Sequence, residues 1–113
     1  MNQQWNKICS TDDLVSNSGV CALIEGRQVA IFQLDQIDNN KIVATSNWDP
    51  IGQANVMYRG LLGSTKGTDY IASPLYKQRY NLDNGACIDD PLQSLKIHQV
   101  KVEQHEVFVK LAR

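Results

Sequence analysis

The sequence predicts an all-β protein. Three observations carry that reading. About nine or ten short runs rich in β-branched and aromatic residues recur along the chain, and turn-forming residues separate them. Between residues 54 and 67, Gly60, Gly63 and Gly67 break up the segment and argue for turns rather than a long helix.

In order, Trp5 to Cys9 reads as a strand with Trp5 as a core anchor, and Ser10-Thr11-Asp12-Asp13 can cap a short helical turn after it. Val20 to Ile24 and Gln28 to Phe32 form a hairpin about Glu25-Gly26-Arg27. Within it Val29 and Ile31 face one way and Ala30 and Phe32 the other, which implies burial on both sides and makes this hairpin the base of the fold. Asp35 to Lys41 is polar and turn-rich, with Asn39-Asn40 suited to positive φ. Ile42 to Thr45 is the next strand.

From Tyr76 to Leu82 the residues alternate, with Tyr76, Gln78, Tyr80 and Leu82 on one face and Lys77, Arg79 and Asn81 on the other. Asp83-Asn84-Gly85 ends that strand in a tight turn, and Ala86-Cys87-Ile88 is expected to pair back on it. Leu95 to Val102 and Glu106 to Leu111 flank Glu103-Gln104-His105 as a C-terminal hairpin. Val100 with Val102, and Val107, Val109 and Leu111, show the period of two expected for inward positions.

At 113 residues, with 42% hydrophobic and 20% charged residues, the whole chain, residues 1–113, is expected to form one globular domain. A net charge of -1 offers no general attraction to nucleic acid or to an anionic membrane. No apolar run approaches the roughly eighteen residues that span a bilayer, and residues 1–5 lack the basic and apolar regions of a signal peptide. A cytoplasmic protein without nucleic-acid or membrane partners is expected.

Few residues suggest chemistry. Cys9, Cys21 and Cys87 are an odd number at wide spacing and read as small buried or half-buried apolar side chains. His98 and His105 read as surface residues, and Asp89-Asp90, beside Pro91, as turn residues. No nucleophile elbow, Walker loop, dinucleotide glycine motif or metal-spaced His and Cys cluster occurs. The isolated chain is therefore not expected to catalyse a reaction.

The most informative stretch runs from Ser46 to Leu82. It holds two short loops, Asp49-Pro50-Ile51 and Ser73-Pro74-Leu75-Tyr76, each delivered by an apolar run, Ile42-Val43-Ala44 and Tyr70-Ile71-Ala72. With Asp83-Asn84-Gly85 beyond them, the paired loops resemble the cluster-binding subdomain of the Rieske ferredoxin family, here approximately residues 44–85. The resemblance implies an all-β, Rieske-like ferredoxin-type β-sandwich with a small loop-bearing subdomain inserted in a larger base.

In that family the loops read Cys-x-His and Cys-x-x-His and hold a 2Fe–2S cluster. The resemblance places the four ligand positions at Asp49, Ile51, Ser73 and Tyr76, none of which is Cys or His. No metal and no cofactor is expected in this chain, because Fe–S clusters need thiolates or, in Rieske centres, imidazoles as well. The loops are then expected to be closed by packing and hydrogen bonds rather than by iron, with Pro50 and Pro74 restricting the backbone while Ile51 and Tyr76 fill the ligand space.

Asn47-Trp48-Asp49-Pro50, Tyr58-Arg59-Gly60, Ala72 to Gln78 and Asn84 to Pro91 narrow the resemblance to the small subunits of bacterial assimilatory NAD(P)H-dependent nitrite reductases. That resemblance implies an accessory role, supporting reduction of nitrite to ammonium in nitrate and nitrite assimilation. The implied partner is a nitrite reductase large subunit that carries FAD, an Fe–S cluster and sirohaem. The former cluster tip is the expected docking surface, through Trp48, Tyr76, Arg59, Lys77 and Arg79. Two alternatives are a Rieske-type electron-transfer ferredoxin and a cofactor-free module that takes a small anion on Ser73, Arg59 and backbone N–H groups.

Overall fold

The central hairpin carries the fold. In the computed structural model, which describes residues 4–34 and 41–112, β2 (Ser18–Ile24) and β3 (Arg27–Leu34) pair antiparallel about a two-residue turn. Glu25 and Gly26 both take positive φ there, as a primed hairpin turn demands. The expected two-sided burial of β3 is present. Ala30, Phe32 and Leu34 enter one core with Met57, Ile71, Tyr80 and Leu82, while Val29 and Ile31 enter another with Ile24, Ala44, Val109 and Leu111.

The second of these cores lines the base. β1 (Trp5–Ser10), β4 (Lys41–Ser46), β10 (Ile97–Glu103) and β11 (Glu106–Lys110) join the hairpin in a six-stranded sheet ordered β1-β11-β10-β4-β3-β2. The other core joins that sheet to the segment inserted between β4 and β10. The segment contains β5 (Trp48–Asp49) paired with β6 (Ala54–Asn55). It also contains a three-stranded sheet of β7 (Leu61–Thr65), β8 (Thr68–Ala72) and β9 (Arg79–Asn81). The described residues thus form eleven strands with only two single-turn 3-10 helices, Thr11–Asp13 and Met57–Arg59, an all-β fold. Ser10 caps the first of them, its side chain bonded to the Asp12 N–H.

Several expectations are corrected. Trp5 is half-buried rather than a core anchor: it lies on the outer face of β1, with the Lys101 and Lys110 ammonium groups 4.6 and 5.9 Å from its ring centroid. Val102 is exposed although its partner Val107 is buried, because β10 pairs with β4 only at Ile97 and His98 and has no strand beside it at Val102, whereas β1 flanks β11 at Val107. Cys21 is exposed although it shares the face of Ala30 opposite it, and the Asn47 amide reaches its Sγ at 3.5 Å. His98 is buried on the inner side of β10, opposite Ala44, and its Nδ1 accepts the Ala112 N–H at 2.9 Å. The expected turn at Asp35 to Lys41 falls mostly outside the described residues, and Lys41 begins β4.

The strand expected over Tyr76 to Leu82 shortens to Arg79–Asn81. Lys77 sits at φ 63°, a left-handed conformation that interrupts the pleat. Gln78, Tyr80 and Leu82 keep their common buried face, and Tyr76, before the break, swings out to 69% exposure. Beyond the turn, Cys87 bridges Tyr80 and Ala86 bridges Ser94.

Candidate functional site: the paired loops

Asp49 builds the first loop. Its Oδ1 accepts the N–H groups of Ile51 and Gly52 at 2.8 and 2.9 Å, a side-chain-capped turn of the kind that favours Asp. Its carbonyl accepts the Gln53 N–H at 2.7 Å, closing the loop before β6. The second loop closes similarly, with the Ser73 N–H donating to the Gln78 carbonyl at 2.9 Å and the Lys77 N–H to the Ser73 carbonyl at 3.0 Å.

The two loops face each other and are joined through Asp49. The Ser73 hydroxyl donates to Asp49 Oδ2, and Gln78 Nε2 donates to Asp49 Oδ1 at 2.8 Å. The other Gln78 amide hydrogen reaches the Tyr80 hydroxyl at 3.0 Å. All four residues are buried. The amide can point only this way, since the opposite orientation would set its oxygen against the carboxylate. Gln78 Oε1 is consequently left without a protein partner among the described residues.

Burial pushes the Asp49 carboxyl up, but the hydrogen bonds from Ser73, Gly52, Ile51 and Gln78 outweigh it and hold it below the usual carboxylate range. The tip therefore carries a fixed negative charge. Burial, opposed by the Gln78 bond and aided by the charge of Asp49, pushes the Tyr80 phenol up to about 12.

Asn47 ties the tip to the base. It is fully buried. Its Oδ1 accepts the Tyr58 N–H at 2.8 Å, while its Nδ2 donates to Gln28 Oε1 at 3.0 Å and to the Asn55 carbonyl at 3.2 Å. Asn47, Gln78 and Tyr80 are not among the site residues that the sequence suggests. One signal was available for Gln78, a polar residue alternating in phase with Tyr80 and Leu82.

The structure thus brings Asp49 and Ser73 together and leaves Tyr76 out. Tyr76 points to solvent and Ile51 is only partly buried, so the expectation that these two fill the ligand space is replaced by the Asp49, Ser73 and Gln78 network. Trp48, next to Asp49 on β5, is 44% exposed. Arg59 and Lys77 are exposed. Arg79 is engaged instead with Asp89, in a two-pronged ion pair with contacts at 2.8 and 3.1 Å, and it also lies 5.6 Å from the Tyr70 ring centroid. Asp89 further accepts the Arg79 N–H, a contact ten positions away rather than within a turn, while Asp90 takes the expected turn role by accepting the Leu92 N–H at 3.0 Å.

A strand-rich base with two facing loops on an inserted segment defines a Rieske-like domain, and the Rieske-like [2Fe-2S] domain family matches residues 4–110. Within that class, the chain belongs to the family of nitrite reductase small subunits. It is 42% identical over 100 residues to the nitrite reductase (NADH) small subunit of Salmonella typhimurium, covering 88% of this chain and 91% of the relative. A crystal structure described as an NADH-dependent nitrite reductase small subunit from Mycobacterium tuberculosis superposes with a TM-score of 0.90 at 35% identity, covering 100% of this chain and 99% of the other. The nitrite reductase [NAD(P)H] large subunit of Klebsiella oxytoca is 36% identical over 108 residues, covering 96% of this chain and 11% of that protein.

The residues at the four positions that the resemblance marks as ligands do not fit the cluster that the family name implies. Asp49, Ile51, Ser73 and Tyr76 supply a carboxylate, an alkyl group, a hydroxyl and a phenol, where the cluster needs soft sulfur and nitrogen donors. Two of the four, Asp49 and Ser73, are bonded directly to each other. Among the described residues no group of three or more His, Cys, Asp or Glu is placed to hold a metal ion, and no helix is long and apolar enough to cross a membrane.

Proposed function

We propose that this chain is the small, accessory subunit of a cytoplasmic NAD(P)H-dependent nitrite reductase. It docks by its loop tip on a large subunit that carries FAD, an Fe–S cluster and sirohaem, and supports reduction of nitrite to ammonium without a cluster of its own. One observation carries the reading. The same domain occurs as a separate small subunit in Salmonella and as a segment of a large subunit in Klebsiella. A domain found both beside and within the larger polypeptide supports a working association of the two.

The tip supplies the contact. Trp48, Leu75 and Tyr76 expose apolar surface in or next to the loops, Lys77 is exposed after Tyr76, and Arg59 is a further exposed cation on the inserted segment, the mixture of aromatic and cationic groups that dominates binding energy at interfaces. Arg79 belongs to the docking set through its ion pair, which holds the second loop's exit in place. A small-anion site on Ser73 and the loop N–H groups is not favoured, because those donors already serve the Asp49 carboxylate.

The experiment is nitrite-dependent NADH oxidation by the purified large subunit from the same cell, with and without this chain, together with co-elution on a sizing column. Co-elution with a higher rate supports the reading, and neither binding nor any effect on rate rejects it. Trp48→Ala and Lys77→Glu are each expected to weaken binding roughly tenfold while leaving the melting temperature nearly unchanged. Wild-type affinity in both variants would remove the tip from the interface.

A further inference from the structure

Both chain ends leave the base sheet on the side of the loops. Trp5 pairs with Lys110, which in turn pairs with Gln99, two residues from Ile97, where β10 lies opposite Thr45 of β4. β4 then runs directly into the first loop. The β2–β3 turn closes at this same end: Arg27 donates to the Ala112 carbonyl at 2.9 Å, Asn6 to Glu25 at 3.1 Å, and the Asn47 N–H to the Gln28 carbonyl at 3.1 Å. The opposite end of the sheet holds the Gln104-His105 turn and the 3-10 helix, linked by the Thr11 N–H to the His105 carbonyl at 2.8 Å.

This loop-side end is cationic in a protein of net charge -1. Lys96 is exposed, and its carbonyl accepts the Ser46 N–H, two residues before Trp48. Lys110 lies over Trp5, and Arg27 sits at the turn next to Glu25, which accepts from Asn6; the other acidic group here, Asp49, is buried under its own hydrogen bonds. The surface is thus continuous with Trp48 and calls for an acidic partner.

In the Klebsiella large subunit the matching domain is 11% of one polypeptide, so the remainder must join it at one chain end or the other. Whichever end carries that join, it lies on the side of the loops. We infer that the large subunit docks across this end of the base, setting an acidic surface against Arg27, Lys96 and Lys110 and extending the contact made at Trp48. The inference rests on the reading of this chain as a nitrite reductase small subunit.

The test is titration of the purified large subunit with the full chain at low and high salt. Lys96→Glu with Lys110→Glu is expected to weaken binding roughly tenfold or more at low salt and less at high salt. Gln104→Glu, at the opposite end, is expected to bind as the wild type does. Circular dichroism checks that each variant is folded. Lys96→Glu alone, a change at an exposed position, serves if the double variant unfolds, with a several-fold loss expected. Wild-type binding with no loss in the lysine variants overturns this inference and leaves the proposed function standing, as does a loss confined to Gln104→Glu. No binding by the wild type overturns the proposed function, and the inference with it.

Discussion

Asp49→Ala is expected to lower the melting temperature by about 10 to 20 °C, the equivalent of about 3 to 5 kcal/mol in a domain of this size. The substitution removes one acceptor group and strands four donors: the Ser73 hydroxyl, the Gln78 amide and the N–H groups of Ile51 and Gly52. The carboxylate and its side-chain partners are buried, so water does not replace the lost bonds cheaply. Asp49→Asn keeps the volume and one acceptor oxygen, and about half that loss is expected. Thermal or urea unfolding followed by circular dichroism measures both. A midpoint for Asp49→Ala within a few degrees of the wild type would mean that packing alone holds the loops.

The sign of the pH dependence follows from the same bonds. Asp49 titrates below its ordinary 3.8 in the folded protein. Its contribution is therefore complete above that value and disappears as pH falls through the lower folded one. Acid should accordingly narrow the stability gap between the wild type and Asp49→Asn. The network also fixes one loop geometry, since the Asp49 carboxylate binds donors from both loops; under the proposed function this presents Trp48 and Lys77 in one arrangement.

The base was readable because its signals are local and repeated. Alternation at Val29, Ala30, Ile31 and Phe32, with Gly26 at a two-residue turn, specifies a hairpin buried on both sides without knowledge of the partners. The facing loops were readable from Asp49-Pro50 and Ser73-Pro74, each placed after an apolar run. Which side chains hold them was not. The bond between Asp49 and Ser73 spans 24 positions, and the fate of Tyr76 depends on the positive φ of Lys77, which period-two counting does not register. Trp5 failed as a core residue for a related reason: a strand pattern gives two faces, and only tertiary packing decides which is covered. His98 was misjudged because a histidine within a β-strand has the same sequence signature whether its ring accepts a backbone N–H or meets solvent.

That buried histidine gives a second large effect, in a different pH window. His98 is 4% exposed, and burial, with Arg27 and Lys96 nearby, pushes its pKa down to about 4 from the ordinary 6.5. Between these values the unfolded chain binds a proton that the folded chain refuses, so stability falls as pH drops from 6.5 and levels off below about 4. The loss over that window is expected to be about 2 to 3 kcal/mol. Protonation would also turn Nδ1 from an acceptor into a donor facing the Ala112 N–H, which releases the chain beyond β11 first. His98→Gln retains an acceptor and cannot titrate, so its stability should stay nearly flat where the wild type declines. Below that window the two proteins should share the further decline contributed by Asp49. Unfolding midpoints collected from pH 7 to about pH 2 separate the two groups, and parallel curves for wild type and His98→Gln would show that His98 does not control the upper window.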